Sequence, residues 1–109
     1  MFLVASYLAH YLTHILAHLC LKGKLVSAIC AAPSVLGEAG LLNGKKATSY
    51  PGFEDKLVGA ELSTDSVVVD GNIITSRGMG TAIPFALEIV RYLVDDATAD
   101  NLGKAIIYS

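Results

Sequence analysis

Apolar runs in this chain are short and cleanly interrupted, and the spacing of the interruptions assigns the elements. Residues 25–29 form an apolar run of the right length for a buried parallel strand. The run ends at Cys30, and residues 31–37 read as the opening of a helix with Pro33 in its first turn. That helix extends to about Ala39 and stops at Gly40, a residue suited to a left-handed helix end. Asn43-Gly44 predicts a turn and residues 46–49 a short strand. Tyr50 precedes Pro51 and is therefore extended, and residues 54–58 suggest a helical turn. Two β-branched runs, 67–70 and 73–76, flank Asp70-Gly71 and predict a tight hairpin. Thr81 is placed to cap the next helix, with Pro84 in its first turn. On that helix Ile83, Leu87, Val90 and Val94 recur in steps of three and four, predicting one core-facing stripe with Glu88 and Arg91 on the solvated side. Asp95-Asp96 ends it. Residues 97–102 suggest one more short helix before Gly103, and residues 106–108 are expected to tuck apolar surface against the body.

Residues 1–21 break this rhythm, being almost wholly apolar through Phe2, Leu3, Val4, Leu8, Leu12, Ile15, Leu16 and Leu19. His10, His14 and His18 recur four apart, with Ser6 on the same stripe, which puts three imidazoles along one helical face. Neighbouring histidines at that spacing can chelate a divalent metal, yet only the distant Cys20 offers a further ligand in the segment, so no metal site is assigned. The run approaches membrane-spanning length, but three histidines, Thr13 and the absence of a preceding basic cluster argue against a span. The same lack of a basic n-region argues against a signal peptide. The plainest reading is a mostly buried helix covering the sheet ahead of the first strand, and the segment's origin stays open.

Composition sharpens this picture. The chain has 109 residues, one domain at most, with 53% hydrophobic and only 17% charged residues. That apolar excess fits a core expecting more covering than the chain encodes. A formal net charge of -2 supplies no basic face for nucleic acid or acidic lipid. Two cysteines, Cys20 and Cys30, make no multi-bridge framework, so a reducing, cytoplasmic setting is the default.

Candidate chemistry centres on Cys30. A strand that turns sharply into a helix holds the residue at the bend clear of both elements, the geometry that exposes a serine in the nucleophile elbow of hydrolases. Here that residue is a thiol beside a helix N-terminus, where the thiolate is favoured. The alternative is a buried, inert cysteine. Ser76-Arg-Gly-Met-Gly80 is a glycine-rich loop opening a helix, where backbone amides can cradle anions. It is too short for a phosphate loop and lacks its lysine.

Three segments in register carry a family resemblance: Ala28-Ile-Cys-Ala-Ala-Pro33; Ala47-Thr-Ser-Tyr-Pro51 with Asp55-Lys56; and Val67 through Thr81 with the helix that follows. They resemble the DJ-1/PfpI family, especially its bacterial ThiJ-type branch, over residues 22 to about 108. The resemblance implies an α/β fold, a flavodoxin-like three-layer sandwich with one β-hairpin. It also implies that residues 22–109 are the C-terminal part of the family domain, truncated before its first strands, with residues 1–21 a separate apolar helical segment.

The resemblance further implies Cys30 as nucleophile, the Ala31 backbone N–H as oxyanion donor, and Tyr50, Pro51, Arg77 and Gly78 beside the substrate, with no cofactor. Tyr50 is either an aromatic lid or core packing. Arg77 to Gly80 either lie at the site or dimer contact or simply make a tight strand-to-helix turn. Where animal relatives carry a histidine near the thiol this chain has Tyr50, and Ala31 stands where the peptidase-like branch has its base, so a thiol protease is disfavoured. The family's acid–base glutamate is matched by none of Glu38, Glu54, Glu61 or Glu88. The implied partners are a small 2-oxoaldehyde or an oxidant and a second copy in a homodimer, with neither nucleic acid nor membrane. The alternative is a catalytically inactive relative that binds a partner or oligomerises.

Overall fold

The computed structural model describes the backbone of residues 2–108 and the side chains of residues 10–108. Helix α1 (Phe2–Leu21) leads through Gly23, at φ +75°, into strand β1 (Val26–Ile29). Helix α2 (Pro33–Glu38) follows with Pro33 at its start, where a missing N–H costs nothing, and the chain leaves it through Gly40 at φ +79°. Strands β2 (Lys46–Ala47) and β3 (Glu61–Leu62) pair in parallel around a one-turn helix, Glu54–Lys56. Strands β4 (Val67–Asp70) and β5 (Ile73–Ser76) form the hairpin expected at Asp70-Gly71, with Gly71 at φ +59°. A second single turn, Met79–Thr81, opens helix α3 (Ala82–Leu93), and helix α4 (Asp96–Ala105) packs back on it.

The main sheet has the order β1-β5-β4, with β1 parallel and β4 antiparallel to β5. Central β5 is buried at all four residues. Val26, Ala28 and Ile73 turn to one face, where they form the core with Leu36, Leu42, Ala47 and Leu57 and receive Leu16 and Cys20 from α1. Strand alternation turns Ile74 to the opposite face, the one on which α3 lies against β4 and β5. Helices thus cover both faces, and the fold is the mixed α/β sandwich anticipated from the sequence. Each fully buried Leu or Ile in these layers contributes about 1.5–3 kcal/mol. Strand β1 forms one edge of the sheet. Its Val26 and Cys30 amides donate to the Asn72 and Ser76 carbonyls, so the amides of Ser27 and Ile29 point away from β5 toward the unpaired side.

Several expectations are corrected. Helix α1 is not mostly buried: Leu12, Ile15 and Leu19 are 46%, 53% and 38% exposed, because only its Leu16–Cys20 side reaches a three-stranded sheet. The side chains of Phe2, Leu3, Val4, Ser6 and Leu8 lie outside the described residues. Among the described residues no helix is long and apolar enough to cross a membrane. The α3 stripe is only partly core-facing. Leu87 and Val90 are half-buried, whereas Ile83 and Val94 are exposed, since the helix overhangs a narrow sheet. Ile106, Ile107 and Tyr108 remain exposed instead of tucking in. Helix α4 runs through Gly103, which is buried against α3 near Leu87. Helix α3 ends at Leu93, directly ahead of Asp95-Asp96 as expected, and Asp95 also caps α4, accepting a hydrogen bond from the Thr98 amide. Strand β3 escaped prediction because two residues carry no periodicity.

Candidate functional site

Three loops meet here, two following the parallel strands β1 and β5 and one following β2, at the carboxyl edge of an open α/β sheet where ligands characteristically bind. The first is the bend after β1. Cys30 sits there at φ +66°, a left-handed conformation that is a genuine cost for a residue with a side chain. Two long-range hydrogen bonds hold it: its N–H donates to the Ser76 carbonyl at 3.1 Å, and its carbonyl accepts from the Tyr50 amide at 2.8 Å. Strand β5 and the post-β2 loop therefore impose the strained bend jointly. The Cys30 thiol is free and half-buried, as is that of Cys20.

Beyond the bend, the Ala32 amide returns to the Ile29 carbonyl, and the Ser34 hydroxyl closes onto the Ala31 carbonyl at 2.6 Å. The Ala31 N–H donates to no group among the described residues. It is the amide next to the thiol, left available by the same turn.

The second loop carries Ser49, Tyr50 and Pro51. Ser49 is fully buried, while Tyr50 is 47% exposed, so Tyr50 is not core packing. Its ring lies edge-on to Phe53, with centroids 6.4 Å apart, and passes close to Gly78, where an added Cβ would sit 3.6 Å from Tyr50 Cδ1. Pro51 is exposed at the start of the following turn.

The third loop supplies Arg77 and Gly78. Arg77 Nε donates to the Ser49 carbonyl at 3.0 Å, and its outer nitrogen lies 3.7 Å from Glu54 Oε2. Glu54 Oε1 in turn accepts from the Gly52 amide at 2.7 Å. Hydrogen bonds from the Glu54 and Gly52 amides, with a smaller contribution from Arg77, hold the Glu54 carboxyl below the ordinary range. It is therefore an anion that steadies Arg77. The turn itself is built around Thr81, whose Oγ1 accepts from the Arg77 and Gly78 amides and lies 2.6 Å from Ser76 Oγ. Thr81 thus ties the glycine-rich loop and makes no side-chain cap on α3.

Cys30, Tyr50, Arg77 and Gly78 come from segments up to 48 residues apart and are linked directly or through one intervening residue. Ser49 and Glu54 were missed by sequence reasoning, the first because Arg77 is held by its backbone carbonyl and the second because its partner lies 23 residues on. Beneath the site lies a buried polar layer of Thr48, Ser49, Thr75 and Ser76. Thr75 Oγ1 accepts the Thr48 amide at 3.0 Å, and Thr48 Oγ1 has no partner among the described residues.

A family model described as the DJ-1/PfpI family matches residues 4–92. The protein dj-1beta of Drosophila melanogaster is 45% identical over 87 residues, covering 78% of this chain and 46% of that protein. A deglycase of Pyrococcus horikoshii is 42% identical over 74 residues, covering 66% of this chain and 45% of the enzyme. Among solved structures, Drosophila DJ-1beta superposes with a TM-score of 0.82 at 40% identity, covering 89% of this chain and 53% of that one. Oxidized Toxoplasma gondii DJ-1 superposes with a TM-score of 0.83 at 37% identity, over 90% and 54%. The chain spans about half the length of the curated relatives it matches.

Proposed function

Since this chain belongs to the DJ-1/PfpI family, we propose that Cys30 is a nucleophile toward small 2-oxoaldehydes and a thiol that responds to oxidants. The observation that carries this reading is the left-handed Cys30 backbone, strained and pinned by two long-range hydrogen bonds. Such strain at a strand-to-helix bend is characteristic of a reactive residue held away from both elements. Deglycase-named relatives support the substrate class.

In the first step the Cys30 thiolate attacks the aldehyde carbon of a 2-oxoaldehyde. A C–S bond forms, the carbonyl π pair moves to oxygen, and that oxygen is held by the Ala31 N–H and then protonated by water, leaving a hemithioacetal. Tyr50 and Pro51 form one wall of the site, and Arg77, steadied by Ser49 and Glu54, forms the other with Gly78. Isomerisation of the adduct needs a carboxylate to carry a proton between carbons. Glu54 is committed to Arg77 and the Gly52 amide, so the chain by itself forms the adduct without rapid turnover. The same thiolate is oxidised by peroxide to the sulfenate and then the sulfinate. The setting is cytoplasmic and the assembly a homodimer.

A second reading, an inactive module that associates through its surface, draws on the unpaired edge of β1 and on the exposed apolar side chains of α1 and α3.

Alkylation of the folded chain with iodoacetamide separates the two. In wild type and Cys20→Ser, Cys30 is expected to label rapidly, and prior incubation with methylglyoxal to slow that labelling. Labelling of Cys30 only after denaturant is added would overturn the nucleophile reading and leave the associating module.

A further inference from the structure

A second chemically distinctive cluster lies on α1, on a different element from the Cys30 loops and independent of the reading given to them. His10 and His14 stand one helical turn apart, both exposed. Their Nε2 atoms are 3.1 Å from each other, and their rings meet edge to face with centroids 4.5 Å apart. A contact that short between two imidazole nitrogens requires something positive between them. In the metal-free chain it is the proton that one ring keeps on Nε2 and shares with the lone pair of the other.

A divalent ion can replace that proton and use both lone pairs. With metal–nitrogen bonds of about 2.0–2.1 Å, a 3.1 Å separation closes on the ion at roughly 100°. That angle lies between octahedral and tetrahedral values, and modest rotation of two exposed rings suffices to aim both nitrogens at one point. The helix already holds the two imidazoles side by side, so little ordering remains to oppose binding.

We propose that His10 and His14 form a two-imidazole site for a late first-row divalent cation, with water in the remaining positions. Imidazole suits nickel, copper and zinc, whereas magnesium and calcium prefer oxygen ligands and do not compete. His18 lies one turn further along but shares no hydrogen bond or ring contact with His14 among the described residues. No cluster of three or more His, Cys, Asp or Glu ligands occurs among the described residues. The site therefore has two protein ligands, and a bound ion keeps open positions.

The test is calorimetric titration of Ni2+ into the full chain and into His10→Ala, His14→Ala, His18→Ala, Cys20→Ser and Cys30→Ser variants, with circular dichroism confirming that each retains its helices. One Ni2+ per chain is expected. Affinity should fall roughly tenfold or more on loss of either chelating histidine and stay near wild type in His18→Ala and in both serine variants. Paramagnetic broadening should reach the His10 and His14 ring signals before any other, and excess Mg2+ should not reverse it. Absence of binding, binding that survives His14→Ala, or binding abolished by either serine substitution would each overturn the proposal.

Discussion

Cys30 couples conformation to chemistry at the scale of one residue. Its φ of +66° costs about 1–2 kcal/mol relative to an unstrained residue, and the hydrogen bonds to Ser76 and Tyr50 keep it there. Cys30→Gly removes the clash between Cβ and backbone while making the unfolded chain more flexible, and the two effects partly offset. The variant is expected to unfold in urea at the wild-type midpoint or above it, by up to about 1 kcal/mol, while losing labelling at this position. A marked drop in midpoint would show that the thiol contributes packing and that its conformation is not strained. This residue was legible in the sequence as the bend between an apolar run and a Pro-led helix. Its partners were not, because backbone groups of Ser76 and Tyr50 carry no side-chain signature.

The elements show how close packing carries the site. Helix α2 passes the Glu54–Lys56 turn at Gly37, where a Cβ would overlap the Lys56 carbonyl oxygen and lie 2.7 Å from Leu57 Cα. The glycine is needed for this approach, since backbone cannot swing aside as a side-chain tip can. Gly37→Ala is therefore expected to destabilise by about 1–3 kcal/mol, measured by urea denaturation. It should also disturb the loop bearing Tyr50 and Glu54, visible as altered Cys30 labelling. At α3 the lesson is different: a period of three to four residues was read correctly as a helix, but the width of its buried face depended on how much sheet lay beneath. Ile83 and Val94 satisfy the period and still face outward.

The whole molecule is less compact than its mass suggests. Its accessible surface is 6900 Å², against about 5,800 Å² for a compact monomer of 11.4 kDa. The radius of gyration is 14.5 Å, compared with about 13 Å for this length. Exposed apolar side chains stand on α1 and α3, and β1 has an unpaired edge. If that edge mediates self-association, thermal stability should rise with protein concentration. Ser27→Pro should then suppress the rise, because the Ser27 amide faces the unpaired side and its loss spares the ladder to β5. Sedimentation velocity on wild type and variant measures this directly, and an unchanged association constant would move the contact to α1 or α3.

The sequence by itself determined what depends on neighbours along the chain: the elbow at Cys30, the Asp70-Gly71 hairpin, and the start of α2 at Pro33 with its exit through Gly40. Each follows from local backbone preference or from side-chain period. Tertiary structure decided what depends on the meeting of distant segments: the Arg77 link to Ser49 and Glu54, the exposure of α1 and the open side of β1. Periodicity places a side chain on a face, but only the assembled layers decide whether that face is covered and what it meets.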